Sequence, residues 1–348
     1  MVAQSVVELD EAAVSGALIT QSAHLRALPP PPPSPADAGE GGGLRRHEDR
    51  NFGVAASALS RISGGGLGGG NAARARAATI RQLDPRLLQI TFLGTFLSIG
   101  VFIRDFALLW PQVALTFAAA LLTQAVWLQA KGLQHKGYLS ALVTCFGISI
   151  LVRAENSWVH PLVACIAISS KFLIRYEFAP GKHSHVFNPA NLAAVLAGYL
   201  LPGAWLSPGQ WGQAIVLALW FFILGTMVAS KAARWDVSFA FLGTFIALIA
   251  LRVFVLGANP WIVWHQLQNG ALLLFTFFMI SDPLTTPRDP RVRIGFAAAV
   301  AVLAFTWQFT AFKPNGPILA LFALSFAVPW LNRQFPGKAL FDWKTPVR

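Results

Sequence analysis

The chain has 348 residues, 55% of them hydrophobic and 12% charged, with 27 Lys and Arg against 15 Asp and Glu. A soluble domain carries about a quarter charged residues, so an ordinary soluble hydrolase or dehydrogenase is excluded, and no Gly-rich phosphate loop, nucleophile elbow, HExxH or CxxC stands out. The formal net charge of +12 would suit a nucleic-acid partner only if the basic residues formed a patch; they are instead spaced along an apolar body.

Residues 1–86 differ in composition from the rest. PPPPPSP at 29–35, GEGGGL at 39–44 and SGGGLGGG at 63–70 offer too little apolar surface to offset chain entropy. They predict a disordered, low-complexity cytoplasmic tail, with a short helix around 5–20. No positively charged start leads into an apolar core, so no signal peptide is expected. RRHEDR at 45–50 and RARAATIRQLDPR at 74–86 form a basic flank before the first apolar stretch, and contact with anionic headgroups is its alternative role.

A bilayer-crossing helix needs about 17–25 apolar residues. Apolar stretches at 87–103, 106–128, 137–152, 158–174, 190–206, 212–230, 236–256, 262–280, 294–312 and 316–331 predict an all-α, polytopic membrane domain of ten transmembrane helices over 87–335. A short cytoplasmic tail follows at 336–348. From Arg81 onward the even-numbered gaps and the two ends hold sixteen Lys and Arg, and the odd-numbered gaps hold four: Arg104, Arg153, Arg252 and Lys313. Cytoplasmic loops retain Lys and Arg. The alternation therefore places both termini in the cytoplasm, the protein in the cell membrane, and the basic charge in the service of topology. Cys145 and Cys165 lie within apolar stretches and give neither metal spacing nor a disulfide framework.

Two polar clusters interrupt this body on the expected cytoplasmic side. One is His183, Ser184, His185, Asn188 and Asn191; the other is Ser281, Asp282, Thr285, Thr286 and Asp289. Asn188-Pro189 and Asp282-Pro283 sit at stretch ends, where proline disfavours helix in the residue before it and opens a helix well. Each marks a broken or re-entrant backbone, tolerated in a membrane only against protein or a watery cavity. FNPANLAAVL (187–196) and KPNGPILALF (313–322) each place Pro and Asn before a short apolar helix. This is a faint repeat, and two five-span halves would be mutually inverted.

SSKFLIRYEFAPGKHSHVFNPANLAAVL (169–196), FTFFMISDPLTTPRDPRVRIGFAAAVAVLAFTWQF (275–309) and the following FKPNGPILALFALSFAVPWLNR resemble the membrane-protein family shared by RnfD, of the Rnf electron transport complex, and NqrB, of the sodium-translocating NADH:quinone reductase. The resemblance covers roughly 87–335, and the wording is most similar to an RnfD-like branch found beside enediyne biosynthesis genes. It implies two inverted five-helix repeats, similar in outline to urea transporters. It also implies flavin-linked electron transfer coupled to Na⁺ or H⁺ movement beside other membrane redox subunits. Typical members attach FMN to a threonine after the fifth span; the matching LPGAWLSPGQWGQ (201–213) has Ser207 as its only hydroxyl. Covalent FMN is not carried over, and any FMN or riboflavin is expected to be non-covalent.

Each candidate residue has two readings. Lys171 contacts a phosphate or flavin, or snorkels at a helix end. Asn188 and Asn191 line a cavity or flavin site, or shape a helix-opening turn. Asp282 attracts a cation or holds Arg288, or caps the turn before Pro283. Thr285 and Thr286 meet a cofactor phosphate, or complete that turn. His183 and His185, two apart on an extended segment, could share a metal, but no carboxylate or cysteine joins them. His265 and Asn269, four apart and so on one face of a helix, line a polar transport path with Gln266 and Gln268; the alternative is an interfacial position beside Trp261 and Trp264. No catalytic residue and no metal are assigned. Two functions remain open: an electron-transfer membrane subunit, and a flavin-free exporter of a small molecule, such as an enediyne-type natural product, on the same fold. A scaffold protein without its own transport path is the third, plainer reading.

Overall fold

The computed structural model describes residues 84–104, 108–133, 137–207, 211–212, 214–313 and 315–337. These belong to one compact unit, 70–348. The tail expected over 1–86 lies almost wholly outside the described residues, as do all but the first two residues of the expected C-terminal tail at 336–348.

Helix α1 (Pro85–Phe102) opens on Asp84, whose Oδ1 accepts from the Arg86 backbone N–H at 2.9 Å, with Pro85 in the first turn. Both features suit a helix start, where backbone donors are free and a proline costs nothing. Then come α2 (Trp110–Ala130), α3 (Tyr138–Leu151), strand β1 (Val152–Ala154), α4 (Val159–Leu173), the hairpin of β2 (Arg175–Ala179) and β3 (Lys182–His185), α5 (Pro189–Leu200) and β4 (Ala204–Leu206). The second half holds α6 (Ile215–Lys231), α7 (Trp235–Val255), α8 (Trp261–Leu267), α9 (Gly270–Leu274) running into a π-helical turn at Phe275–Met279, α10 (Pro290–Phe309), α11 (Gly316–Ser325) and α12 (Val328–Gln334).

Among the described residues four helices, α1, α2, α7 and α10, are long and apolar enough to cross a membrane singly. The bent pair α11–α12, which turns by 50°, passes as one broken span. Five shorter apolar helical segments accompany them: α3, α4, α5, α6 and Gly270–Met279.

The differences from the expected stretches have local causes. The fifth stretch ends as helix at Leu200, because β4 turns back to pair antiparallel with β1 (Val152 opposite Leu206, Ala154 opposite Ala204). The eighth stretch is interrupted at Gln268–Asn269, where the Asn269 side chain accepts from Ala271 and Leu272 N–H and so starts a new helix. The bend in the tenth stretch falls where Pro329 enters the first turn of α12. An all-α chain was expected; helices dominate, but two two-stranded antiparallel ribbons, β1–β4 and β2–β3, are present. A single interrupting pair of strands satisfies its own backbone groups, which an irregular loop beside lipid could not do.

The helices pack in a recurring pattern. α2 lies along α4, α3 contacts α1, and α4 contacts α5; in the second half α7 lies along α10, α9 contacts α6, and α10 contacts α11. α5 and α11 also touch each other across the halves. Close approach is permitted by glycines: a Cβ on Gly225 of α6 would stand 2.5 Å from the Phe277 Cβ, and one on Gly316 of α11 would stand 2.5 Å from the Ala304 carbonyl oxygen.

Candidate functional site

A cavity of about 260 Å³ lies between the halves. At one end it is lined by Arg86, Ser140, His185, Asn188 and Asp282. At the other it is lined by the carboxamides Gln266, Asn269, Gln308 and Asn315. Between them the wall is apolar, with Leu93, Phe275, Phe278, Met279 and Ile318. Polar groups that face a bundle interior rather than lipid are the usual mark of a path or binding site in a membrane protein.

The first end is built where α5 begins and the α9–π segment stops. Asn188 caps α5, its Oδ1 accepting from Asn191 N–H at 3.1 Å, and its Nδ2 donates to Asp282 Oδ2 at 3.3 Å. Asp282 Oδ1 accepts from Leu284 N–H at 3.0 Å. The cavity-lining and turn-capping readings of both residues are therefore true together. Burial pushes the Asp282 carboxyl above the usual carboxylate range, against the opposing hydrogen bond from Leu284 and the charge of Lys171. Asn191, 1% exposed, donates Nδ2 to the Ile318 carbonyl of α11 at 2.9 Å. A carbonyl can only accept, so this bond fixes the amide's orientation. It leaves Asn191 Oδ1 buried without a hydrogen-bond partner.

Thr285 and Thr286 are each 2% exposed and belong to the Asp282 turn. Thr286 donates to the Asp282 carbonyl at 3.1 Å and accepts from Arg234 Nε at 3.3 Å. Lys171 does not snorkel: it is 5% exposed, and its ammonium donates to the Ser140 carbonyl at 3.0 Å. Four of the six residues expected around a flavin, Lys171, Asn191, Thr285 and Thr286, lie outside the cavity lining, and Lys171, Asn191 and Thr286 direct donors at protein partners. They do not form a phosphate cradle. Only Asn188 and Asp282 face the cavity.

His265 and Asn269 are not brought together, because the helix break at Gln268–Asn269 destroys the four-residue register. Asn269 lines the cavity, while His265 is exposed on α8. His183 and His185 also part, His183 outward and His185 into the cavity; no cluster of His, Cys, Asp or Glu able to hold a metal occurs among the described residues.

Several supporting groups were not legible in the sequence. Arg234 looked like a topology charge; it is buried, its Nη2 reaching the Pro283 carbonyl at 3.4 Å, and burial, with Arg293 nearby, lowers its pKa to about 10. Ser184 Oγ donates to the Leu284 carbonyl at 2.6 Å, tying the β2–β3 hairpin to the Asp282 turn. Asn332 of α12 accepts from Arg288 N–H at 2.9 Å and donates to the Tyr176 hydroxyl at 2.7 Å. The segment in which the family's flavin threonine would fall is tied down at both ends. Ser207 N–H donates to the Leu151 carbonyl at 2.8 Å, and Trp211 is fully buried against Phe96 and Phe221.

The fold is thus that of a helical membrane protein whose apolar segments enclose a central cavity, polar at both ends. Residues 200–339 match the NQR2, RnfD, RnfE family, and the chain belongs to that family. It is similar to the RnfD-type component of the ion-translocating oxidoreductase complex of Shewanella amazonensis, 30% identical over 116 residues, 32% of each chain. It is also similar to the corresponding proteins of Haemophilus influenzae, 26% over 106 residues (30% of this chain and 29% of the relative), and Escherichia coli K12, 29% over 133 residues (37% and 32%). The matches span about a third of the length of these curated relatives. The family match contains Asp282, Thr285, Thr286, His265 and Asn269, and leaves Lys171, Asn188 and Asn191 outside it.

Proposed function

We propose that this chain is a multi-pass membrane component of an ion-translocating electron-transfer assembly, and that the central cavity is the path of the translocated ion. The observation that carries this is the lining of the cavity, polar at two ends supplied by different elements and apolar between them. The name shared by the relatives, which makes each a component of an ion-translocating oxidoreductase complex, agrees with such a role. Four long helices, one bent pair and five shorter apolar segments support ten passages. The repeated packing of α2 on α4 and α7 on α10 supports two inverted five-helix halves. The sixteen-to-four division of basic residues supports cytoplasmic termini in the cell membrane.

Other membrane redox subunits are its expected partners. Because the candidate residues do not fit a flavin phosphate, no step is assigned to a flavin at this site. A second reading, a flavin-free exporter of a small molecule such as an enediyne-type natural product, is favoured by one feature: the 201–213 segment lacks a threonine and is pinned by β4 and Trp211. Purification of the full chain from its native membrane separates the two. The electron-transfer role predicts co-purifying redox subunits and flavin absorbance in the assembly. A colourless, solitary protein that moves a solute in vesicles would contradict it.

A further inference from the structure

One buried group at the inner end of the cavity has no task in the scheme above. His185 closes β3 and lines the cavity. One ring nitrogen hydrogen-bonds to the backbone of Lys171, and Nδ1 is buried with no hydrogen-bond partner. Lys171 lies in the last turn of α4, where backbone carbonyls lack helical partners. The bond is therefore a ring N–H donating to a carbonyl, which fixes the tautomer and leaves Nδ1 with its lone pair. A buried acceptor without a donor calls for a ligand or water that supplies one. Asp282 lines the same end of the same cavity.

The surroundings decide which ion such a corner suits. The charged or titratable groups facing it are Arg86 from α1, Lys171 from α4, Arg175 from β2 and Asp282 from its turn, with Cys145 of α3 beside Lys171. Burial, and then the charges of Lys171 and Arg175, hold the His185 imidazole neutral, with its pKa pushed down to about 3. A hard metal cation seeks several oxygen ligands, whereas this corner offers one carboxylate, a nitrogen lone pair and three flanking cations. A proton needs only one lone pair and a water to carry it.

We infer that the ion moved through the cavity is a proton, bound at the inner end by the Asp282 carboxyl and relayed through cavity water to the lone pair of His185 Nδ1. On binding, a hydronium ion gives its proton to a carboxylate oxygen and leaves as water. On release, the O–H bond breaks and the proton passes to water held by Nδ1, which leaves the carboxylate ionised as before. This rests on the ion-path reading and names its ion.

The test is an infrared pH titration of the full chain in lipid, in Na⁺ and in K⁺ buffers, for wild type, Asp282→Asn, His185→Phe and His185→Gln. A protonated-carboxyl band that vanishes in Asp282→Asn is expected, with a midpoint above the ordinary carboxylate range and identical in the two salts. The midpoint shifts several-fold in proton affinity in His185→Phe, and less in His185→Gln, which keeps an acceptor and guards against a folding failure of the first variant. A midpoint lowered by Na⁺, or one unmoved in both His185 variants, overturns the proposal. Ion flux into vesicles is measured beside it. Vesicles that pass no ion would strike down the path reading and this proposal with it, whereas Na⁺ competition in vesicles that do pass an ion strikes down this proposal alone.

Discussion

Asn188 and Asp282 form the contact on which the cavity's inner end depends, and its chemistry gives a sign. Burial raises the Asp282 pKa, so the folded state binds this proton more tightly than the unfolded chain does. Stability from this group is greatest when it is protonated. It is lost as pH rises from the ordinary carboxylate value through the folded one. Asn188→Asp keeps the cap of α5 but sets a second carboxylate against Asp282 Oδ2, and two such groups cannot both ionise cheaply. The variant should melt near the wild-type temperature at pH 5 and well below it at pH 8, as read by thermal denaturation in detergent; equal losses at both pH values would contradict the contact. Asn191→Ala removes one buried hydrogen bond to Ile318 and should cost about 1 kcal/mol, while Asn191→Asp, which turns a charge toward that carbonyl, should cost more.

Such residues were legible because each precedes or follows a proline at a stretch end, a signal carried in the local sequence. His185, Arg234 and Asn332 were not, because their partners lie far along the chain: Thr286 for Arg234, Tyr176 and Arg288 for Asn332. The mistaken pairing of His265 with Asn269 has the opposite cause. A four-residue spacing implies one face only while the helix continues, and Asn269 is itself the residue that caps a new one.

The elements that frame the site are held by close packing and by a few polar ties, and the two make different predictions. Gly225 meets the π-helical turn at Phe277, so Gly225→Ala forces overpacking and should cost about 1–3 kcal/mol. Gly243, in the middle of α7, has open space where a Cβ would stand, so Gly243→Ala should be neutral or stabilising by up to about 1 kcal/mol. Equal melting shifts for the two would show that α6 does not approach Phe277 closely. Asn332→Ala cuts α12 from both the hairpin and the Arg288 turn. It should cost about 1–3 kcal/mol and open the chain to trypsin at Arg288 at concentrations that spare the wild type. The short ribbons β1–β4 and β2–β3 left no trace in the sequence, since strands of three to five residues are too brief for an alternating pattern to register.

For the whole molecule, apolar stretches and basic gaps made the membrane class and the number of apolar segments readable, because both reflect solvent preference residue by residue. What they could not convey is that half of those segments are too short to cross alone, since helix ends there are met by polar turns, ribbons and the cavity rather than by lipid headgroups. The central claim is a path between two halves with opposite ends in opposite compartments. With Cys145 and Cys165 replaced by Ala, Ser140→Cys and Gln308→Cys should be labelled in intact cells or inverted vesicles by a membrane-impermeant thiol reagent. Ser140→Cys is expected to react only from the cytoplasmic side and Gln308→Cys only from the outer side. Labelling of both positions from the same side would contradict the account.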